Sequence, residues 1–315
     1  MSTLEDDSLS QSRMAIFGIL LTGEVLSIPF YLFLLYHFIR EKTSRKNLQN
    51  HSILLLLIYN FIQVTIDLSM YLNFFRHGYY TLFYIPLCYL QAYVAYGIFS
   101  GALHITCWIS IERHLLIFHS NLLRTTRRRI LFHYIPLGCV SLCVPILYFY
   151  FIILYPCERI YDRYSFACGV VCYYYSTPVW YSQFELIVNY VLPVLMIAIF
   201  SCGLFIRVLI QKRRLQQAID WRRQRKMIIQ LILISIIYLA FYLPFAIGYI
   251  ISWFGVSSFY NSSFAKYSVI VVYFPGILIP YGNLFALPQL KQKFRALMLW
   301  RRQTQTAVVP FTTHI

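Results

Sequence analysis

The sequence is poor in charge. Asp, Glu, Lys and Arg make up 12% of its 315 residues, against about a quarter in a soluble domain. That shortage, with 59% hydrophobic residues and a mean hydropathy of +0.62, excludes an ordinary soluble fold and points to the membrane class. Long polar segments are missing too, so one domain is expected. The opening "MSTLEDDSLSQSR" lacks the basic region of a cleavable signal peptide; the first apolar run is expected to stay as an anchor. No Ser-His-Asp or metal-ligand spacing recurs. His114 and His119 are five residues apart, not the i, i+4 spacing that puts two ligands on one helix face. Neither enzymatic activity nor a cofactor is expected. No internal repeat is visible, and seven spans do not divide evenly. Both count against the alternative reading, a seven-helix transporter or ligand-gated channel.

What the sequence has in abundance is long apolar runs. A helix needs about 20 apolar residues to cross the hydrocarbon core. Seven runs qualify, at 15–39, 51–75, 82–112, 130–155, 180–206, 227–253 and 266–287. After them "LPQLKQKFRALMLW" alternates apolar and basic residues at helical spacing, as an amphipathic helix lying in the interface does. The expected fold is an all-α membrane protein: a seven-transmembrane helix bundle with a short amphipathic eighth helix. Residues 1–14 form the extracellular N-terminus and 15–300 the bundle with amphipathic helix 288–300. Residues 301–315 form the cytoplasmic tail.

The basic residues orient the chain. With the N-terminus outside, the inner segments hold 22 of the 27 Lys and Arg, and the outer side keeps only Arg13, Arg76, Arg159, Arg163 and Lys266. Such a bias is the positive-inside rule. It accounts for the net charge of +16 without nucleic acid, because basic inner loops face anionic lipid and cytosolic partners. The cysteines divide likewise. Cys107, Cys139, Cys143 and Cys202 lie in apolar runs and read as small core residues. Cys88, Cys157, Cys168 and Cys172 fall at the oxidising outer face, where an even number indicates disulfides. Four cysteines allow three pairings.

One charged group stands inside apolar sequence. "CWISIERHLLIFHS", residues 107–120, carries Glu112, Arg113 and His114. Arg113 is 25 residues from Cys88, or about 37 Å along a helix, more than the hydrocarbon thickness of about 30 Å. Cys88 therefore marks the outer end of span three and Glu112-Arg113 its inner end.

With these residues the chain resembles the rhodopsin-like (class A) G-protein-coupled receptors over residues 15–300. That family has a cysteine opening helix three and, 25 residues on, the arginine of an Asp/Glu-Arg-Tyr motif; Cys88 and Glu112-Arg113-His114 match, with His for Tyr. Pro193 fits the proline of helix five. "YLAFYLP" matches the helix-six motif Phe-x-x-Cys-Trp-x-Pro through Tyr238, Phe241, Tyr242 and Pro244. In helix seven, Asn283 and Phe294 keep the spacing of Asn-Pro-x-x-Tyr and its later Phe, but Leu284 and Leu287 replace Pro and Tyr. A rival register sets Pro280 at the proline and Asn283 at the tyrosine. Helix two's aspartate is Asn60, helix three's serine is Ala102 and helix five's tyrosine is Ser201. Without that charge and hydroxyl, the family's sodium cage is not expected, since a hard cation wants charged oxygen ligands. The residue that locks the arginine from helix six in the family is about Gln224, which is neutral. The resting lock is therefore expected between Glu112 and Arg113.

The resemblance implies a plasma-membrane receptor with its N-terminus outside and C-terminus inside. It would bind an extracellular ligand and activate a heterotrimeric G protein by helix rearrangement. Switch residues carried over are Glu112, Arg113, His114, Tyr238, Tyr242, Pro244 and Asn283. Cavity positions are Gln91, Ala95, Tyr96, Glu185, Tyr242, Tyr249 and Tyr273. Ala95 stands where amine receptors of the family have aspartate, which disfavours a classical monoamine. Glu185 is an intramembrane carboxylate and a functional candidate for that reason; Asp67 and Glu24 are weaker cases. The resemblance also implies a bond from Cys88 to a cysteine of the 156–180 segment. "CGVVCYYY" favours Cys172, leaving Cys157 with Cys168, over the alternative Cys88–Cys168. Asn261 in "NSS" is a glycosylation sequon on an outer loop.

Overall fold

The computed structural model describes residues 2–42, 47–118, 124–158, 161–165, 168–169, 171–214, 221–253 and 270–286. Among the described residues seven long helices follow one another: α1 (Ser2–Arg40), α2 (Leu48–His77), α3 (Ile85–Phe118), α4 (Thr126–Leu154), α5 (Trp180–Arg207), α6 (Trp221–Trp253) and α7 (Phe274–Ala286). In α1 to α5 these include segments long and apolar enough to cross a membrane, and Ile232–Gly248 of α6 is a shorter apolar segment. The expected eighth helix at 288–300 and the tail at 301–315 lie outside the described residues. The first helix begins at Ser2 rather than near residue 15. No proline or glycine between Ser2 and Arg13 breaks a helix.

The helices close into a ring. Going round it, α1 packs on α2, α2 on α3, α3 on α5, α5 on α6, α6 on α7 and α7 on α1, while α4 lies against α3. In the apolar windows 67% of α3 is buried, against 28% for α1 and α4, so α3 is the central helix. The core runs through Leu34, Leu56, Leu57, Leu103, Ile109, Ile197, Ile234 and Ile279. Outward faces are also apolar: Ile19, Leu32, Leu142, Ile146, Leu195 and Ile199 are all exposed. An apolar outside of this extent suits hydrocarbon rather than water. Cys139, Cys143 and Cys202 are exposed on this surface and Cys107 is half-buried, so the span thiols are not core residues as a class. Helical periodicity turned three of them outward.

Prolines shape the helices. Proline has no N–H to give the carbonyl four residues before it, and in hydrocarbon that carbonyl needs another donor. The freed carbonyl of Ser141, four before Pro145, accepts the hydroxyl of Tyr59 from α2. Likewise the carbonyl of Gly276, four before Pro280, accepts the hydroxyl of Tyr31 from α1. Tyr59 reaches α4 past Gly101 of α3, where an added Cβ would lie 2.6 Å from the Tyr59 ring and 3.4 Å from Pro145. Two other prolines coincide with wide, π-helical turns. Ile130–Tyr134 precedes Pro136, and Ile187–Val191 precedes Pro193. Further π-helical turns occupy Gln63–Leu68, Val94–Ile98 and Tyr150–Leu154.

At one end the loop after α4 is tied down by two disulfides, Cys88–Cys168 and Cys157–Cys172, with Cα–Cα distances of 5.7 and 6.0 Å. This corrects the expected pairing of Cys88 with Cys172 and Cys157 with Cys168. Tyr80 and Arg163 explain the difference. The Tyr80 N–H donates to the Arg163 carbonyl at 3.0 Å and the Arg163 side chain donates back to the Tyr80 carbonyl at 3.2 Å. That pins the 161–165 segment beside the start of α3. The Asp162 N–H then holds the Cys168 carbonyl at 3.1 Å, presenting Cys168 to Cys88. Cys168 and Gly169 are both left-handed, at φ 57° and 105°. The chain reverses there and carries Cys172 to Cys157.

Candidate functional site

Opposite the disulfides, the end of α3 carries Glu112 and Arg113, each 1% exposed. They do not pair with each other. One Glu112 oxygen accepts the Ser52 hydroxyl of α2 at 2.6 Å, and the other accepts Nδ1–H of His133 of α4. A carboxylate oxygen accepts, so the imidazole Nδ1–H is the donor in this bond. Nδ1 of His51 lies 3.3 Å from Nε2 of His133. Glu112 is thus held by α2 and α4 together. Arg113 donates to Oε1 of Gln49 at 2.7 Å, while its Nε is buried with no partner. The expected lock between Glu112 and Arg113 is therefore replaced by two separate attachments, because adjacent helical residues point about 100° apart. His114, on a third bearing, bonds the Phe200 carbonyl of α5 through Nε2 at 2.7 Å and packs edge-on against the Phe200 ring.

Above this layer polar side chains join α2, α5, α6 and α7. The Tyr238 hydroxyl lies 3.2 Å from the Asn60 amide nitrogen. Ser201, where the family has tyrosine, bonds Ser235 at 2.7 Å. Gln230 donates to Oδ1 of Asn283 at 2.5 Å, and Asn283 donates to the Ile279 carbonyl at 3.0 Å. Tyr242 is buried with its ring 5.1 Å from that of Tyr238 and 5.2 Å, edge-on, from Phe99. Pro244 lies inside α6 two residues on. The Gln224 side chain lies outside the described residues.

The expected cavity residues do not form one group. Gln91 is fully buried in the disulfide cap, donating to the Tyr80 hydroxyl at 3.0 Å and lying 3.5 Å from the Cys168 sulfur. Ala95 is half-buried on α3. Tyr96 turns toward α4, its ring 6.2 Å from Tyr148. Glu185 is on the same side. Its Oε1 accepts the hydroxyls of Tyr148 at 2.6 Å and Tyr173 at 2.8 Å, and its Oε2 is buried without a partner. Asn189 completes the cluster by donating to the Tyr148 oxygen at 3.2 Å. Tyr273 lies elsewhere, donating to Asp67 of α2 at 3.0 Å. The Tyr249 side chain and Asn261 lie outside the described residues. Sequence reasoning missed Gln49, Ser52, His133, Tyr148 and Tyr173. The one available signal was a histidine inside the apolar run "ILFHYIPL".

An apolar-faced helical bundle with polar side chains bridging its helices, a charged layer at one end and a disulfide-tied loop at the other mark a multi-pass helical membrane protein. The family model described as 7 transmembrane receptor (rhodopsin family) matches residues 30–281, and the chain belongs to that family. No curated protein matches the chain in sequence.

Proposed function

We propose that this protein is a G-protein-coupled receptor of the plasma membrane, with its N-terminus and disulfide-tied loop outside. An extracellular ligand other than a classical monoamine shifts the population of helix arrangements toward one that engages a heterotrimeric G protein at the Arg113 end. Arg113 carries the reading. It is a buried guanidinium whose one hydrogen-bond partner among the described residues is the neutral Gln49, with its neighbour Glu112 already satisfied elsewhere. A guanidinium has five N–H donors. An arrangement that offers it more acceptors is favoured once α6 moves away, and Pro244 weakens the backbone ladder of α6 for that motion. Glu112, His114, Tyr238, Tyr242 and Asn283 hold the resting arrangement. At the other end, Glu185 with Tyr148 and Tyr173 forms the polar part of the ligand site, and Tyr96 supports it. Gln91 supports the loop above.

The test uses the purified chain in lipid, with peptide and small-molecule libraries, and follows two readouts: nucleotide exchange on added G protein and solute flux in proteoliposomes. Ligand-stimulated exchange that Arg113→Ala abolishes is the expected result. Flux without exchange overturns the receptor reading.

A further inference from the structure

The cluster on Glu185 has one oxygen left over. Tyr148 and Tyr173 both spend their single O–H on Oε1, at 2.6 and 2.8 Å. Oε2 is buried without a donor, in a residue only 3% exposed. Asn189 donates to the Tyr148 oxygen at 3.2 Å, and so braces the phenol rather than the carboxylate. No ion pair among the described residues includes Glu185. A buried carboxylate is costly unless its charge is paired and its oxygens are hydrogen-bonded. A proton does not supply what is missing, because on Oε2 it turns an orphaned acceptor into an orphaned donor. A positive charge that also carries N–H answers both deficits.

The surroundings suit such a group. Glu185 reaches from α5 to α4 through Tyr148 and to the loop between them through Tyr173. Tyr173 follows Cys172, which its bond to Cys157 holds in place. The Tyr173 ring is fully buried, with the Phe151 ring 5.3 Å away. Tyr181, one turn before Glu185 on α5, lies 5.1 Å from Phe151. Ring faces attract cations. Ile152 and Val171 belong to the same cluster and are apolar, as an alkyl chain requires. Phe151 and Tyr181 are half-buried, so the approach to Glu185 runs past them.

We propose that Oε2 of Glu185 receives an ammonium or guanidinium group at the end of an unbranched alkyl arm of the ligand, with Phe151, Tyr173 and Tyr181 around the arm. A lysine or arginine side chain of a peptide and a free alkylamine share this chemistry. The inference deepens the ligand site proposed above and rests on it. It sets the cation on α5 facing α4, and makes no use of Ala95 of α3, where amine receptors of the family have aspartate.

Thermal unfolding of the purified full chain in detergent tests it. Additives are used at about 10 mM, because fragments of so few atoms bind weakly, and sodium chloride holds ionic strength constant. n-Butylammonium raises Tm saturably, by roughly 2 °C or more over sodium chloride alone. n-Butanol has the arm without the charge, tetramethylammonium the charge without N–H, and both raise it clearly less. A larger shift with Nα-acetyllysinamide than with n-butylammonium assigns the arm to a peptide, and the reverse assigns it to a free amine. Glu185→Gln keeps the shape, melts cooperatively and abolishes the response; Glu185→Asp, its charge one methylene back, keeps a weaker one. Equal shifts with n-butylammonium and n-butanol overturn the proposal, as does a full response in Glu185→Gln. A Glu185-dependent response in a chain that never stimulates nucleotide exchange keeps the cation site and sinks the receptor reading. Exchange driven by a neutral ligand, with no response to n-butylammonium, keeps the receptor and sinks the cation site.

Discussion

Deleting the Tyr59 hydroxyl should cost stability only because of a proline in a different helix. The hydroxyl donates to the Ser141 carbonyl, which Pro145 leaves without its own backbone partner. In Tyr59→Phe that carbonyl is stranded among apolar groups, since the Ser141 hydroxyl is itself bonded to Gly138. An unsatisfied buried acceptor costs about 1–3 kcal/mol, whereas side-chain hydrogen bonds between membrane helices average about 0.6 and reach about 1.7 kcal/mol. The prediction is the upper part of the membrane range, about 1–1.7 kcal/mol, because Tyr59 is the one side-chain donor to this carbonyl among the described residues. Pro145→Ala restores an N–H to the Ser141 carbonyl. In that background Tyr59→Phe should cost under about 0.5 kcal/mol, giving a coupling of about 1 kcal/mol in a double-mutant cycle. Unfolding of the four proteins in mixed micelles, followed by tryptophan fluorescence, measures it. An equal cost of Tyr59→Phe in both backgrounds refutes the proline argument, even if the hydrogen bond itself exists.

Three further outcomes are expected. A cycle of Glu112→Gln and His133→Phe should show coupling of about 1.5–3 kcal/mol, as a bond to a charged group does; coupling near about 0.6 kcal/mol, the value for neutral membrane pairs, would show that the Glu112–His133 bond is no stronger than a neutral one. Mass spectrometry of unreduced digests should recover a Cys88–Cys168 crosslink, and loss of that bond, across a sequence separation of 80, should destabilise more than loss of Cys157–Cys172, with its separation of 15, by about 1.5 kcal/mol on chain-entropy grounds; a Cys88–Cys172 peptide contradicts the loop described above. Gln230→Leu frees Asn283 and loosens α6 from α7, so ligand-free nucleotide exchange should rise several-fold; unchanged basal exchange argues against this pair as a restraint.

The spans were legible because hydropathy is a property of the chain, and Cys88 and Arg113 mark the two ends of α3 by distance alone. Rotation about the helix axis was not legible. Counting back from Arg113 to Gln91 and Tyr96 assumes a plain α-helix. The π-helical turn at Val94–Ile98 inserts extra backbone, which swings the residues around and before it onto other faces. Gln91 accordingly meets Tyr80, and Tyr96 meets Tyr148. Glu185 lies beyond a similar turn from Pro193. The partners of Glu112 were hidden for a different reason. Ser52 and His133 are 60 and 21 residues away, and nothing in either local sequence says which helix face will meet α3. The disulfide pairing turned on the backbone at Cys168 and Gly169, a choice made by contacts to Tyr80 rather than by cysteine spacing.

The hydroxyl of Tyr31 on the Gly276 carbonyl has a mechanical consequence. A proline ordinarily leaves its helix with a soft joint, and Pro280 would give α7 freedom to bend independently. Because the carbonyl that Pro280 releases is gripped from α1, flexing α7 there either breaks that grip or drags α1 along. The first and last helices of the bundle therefore behave as a single stiff spar, and large-amplitude motion is left to α5 and α6 on the other side of the ring.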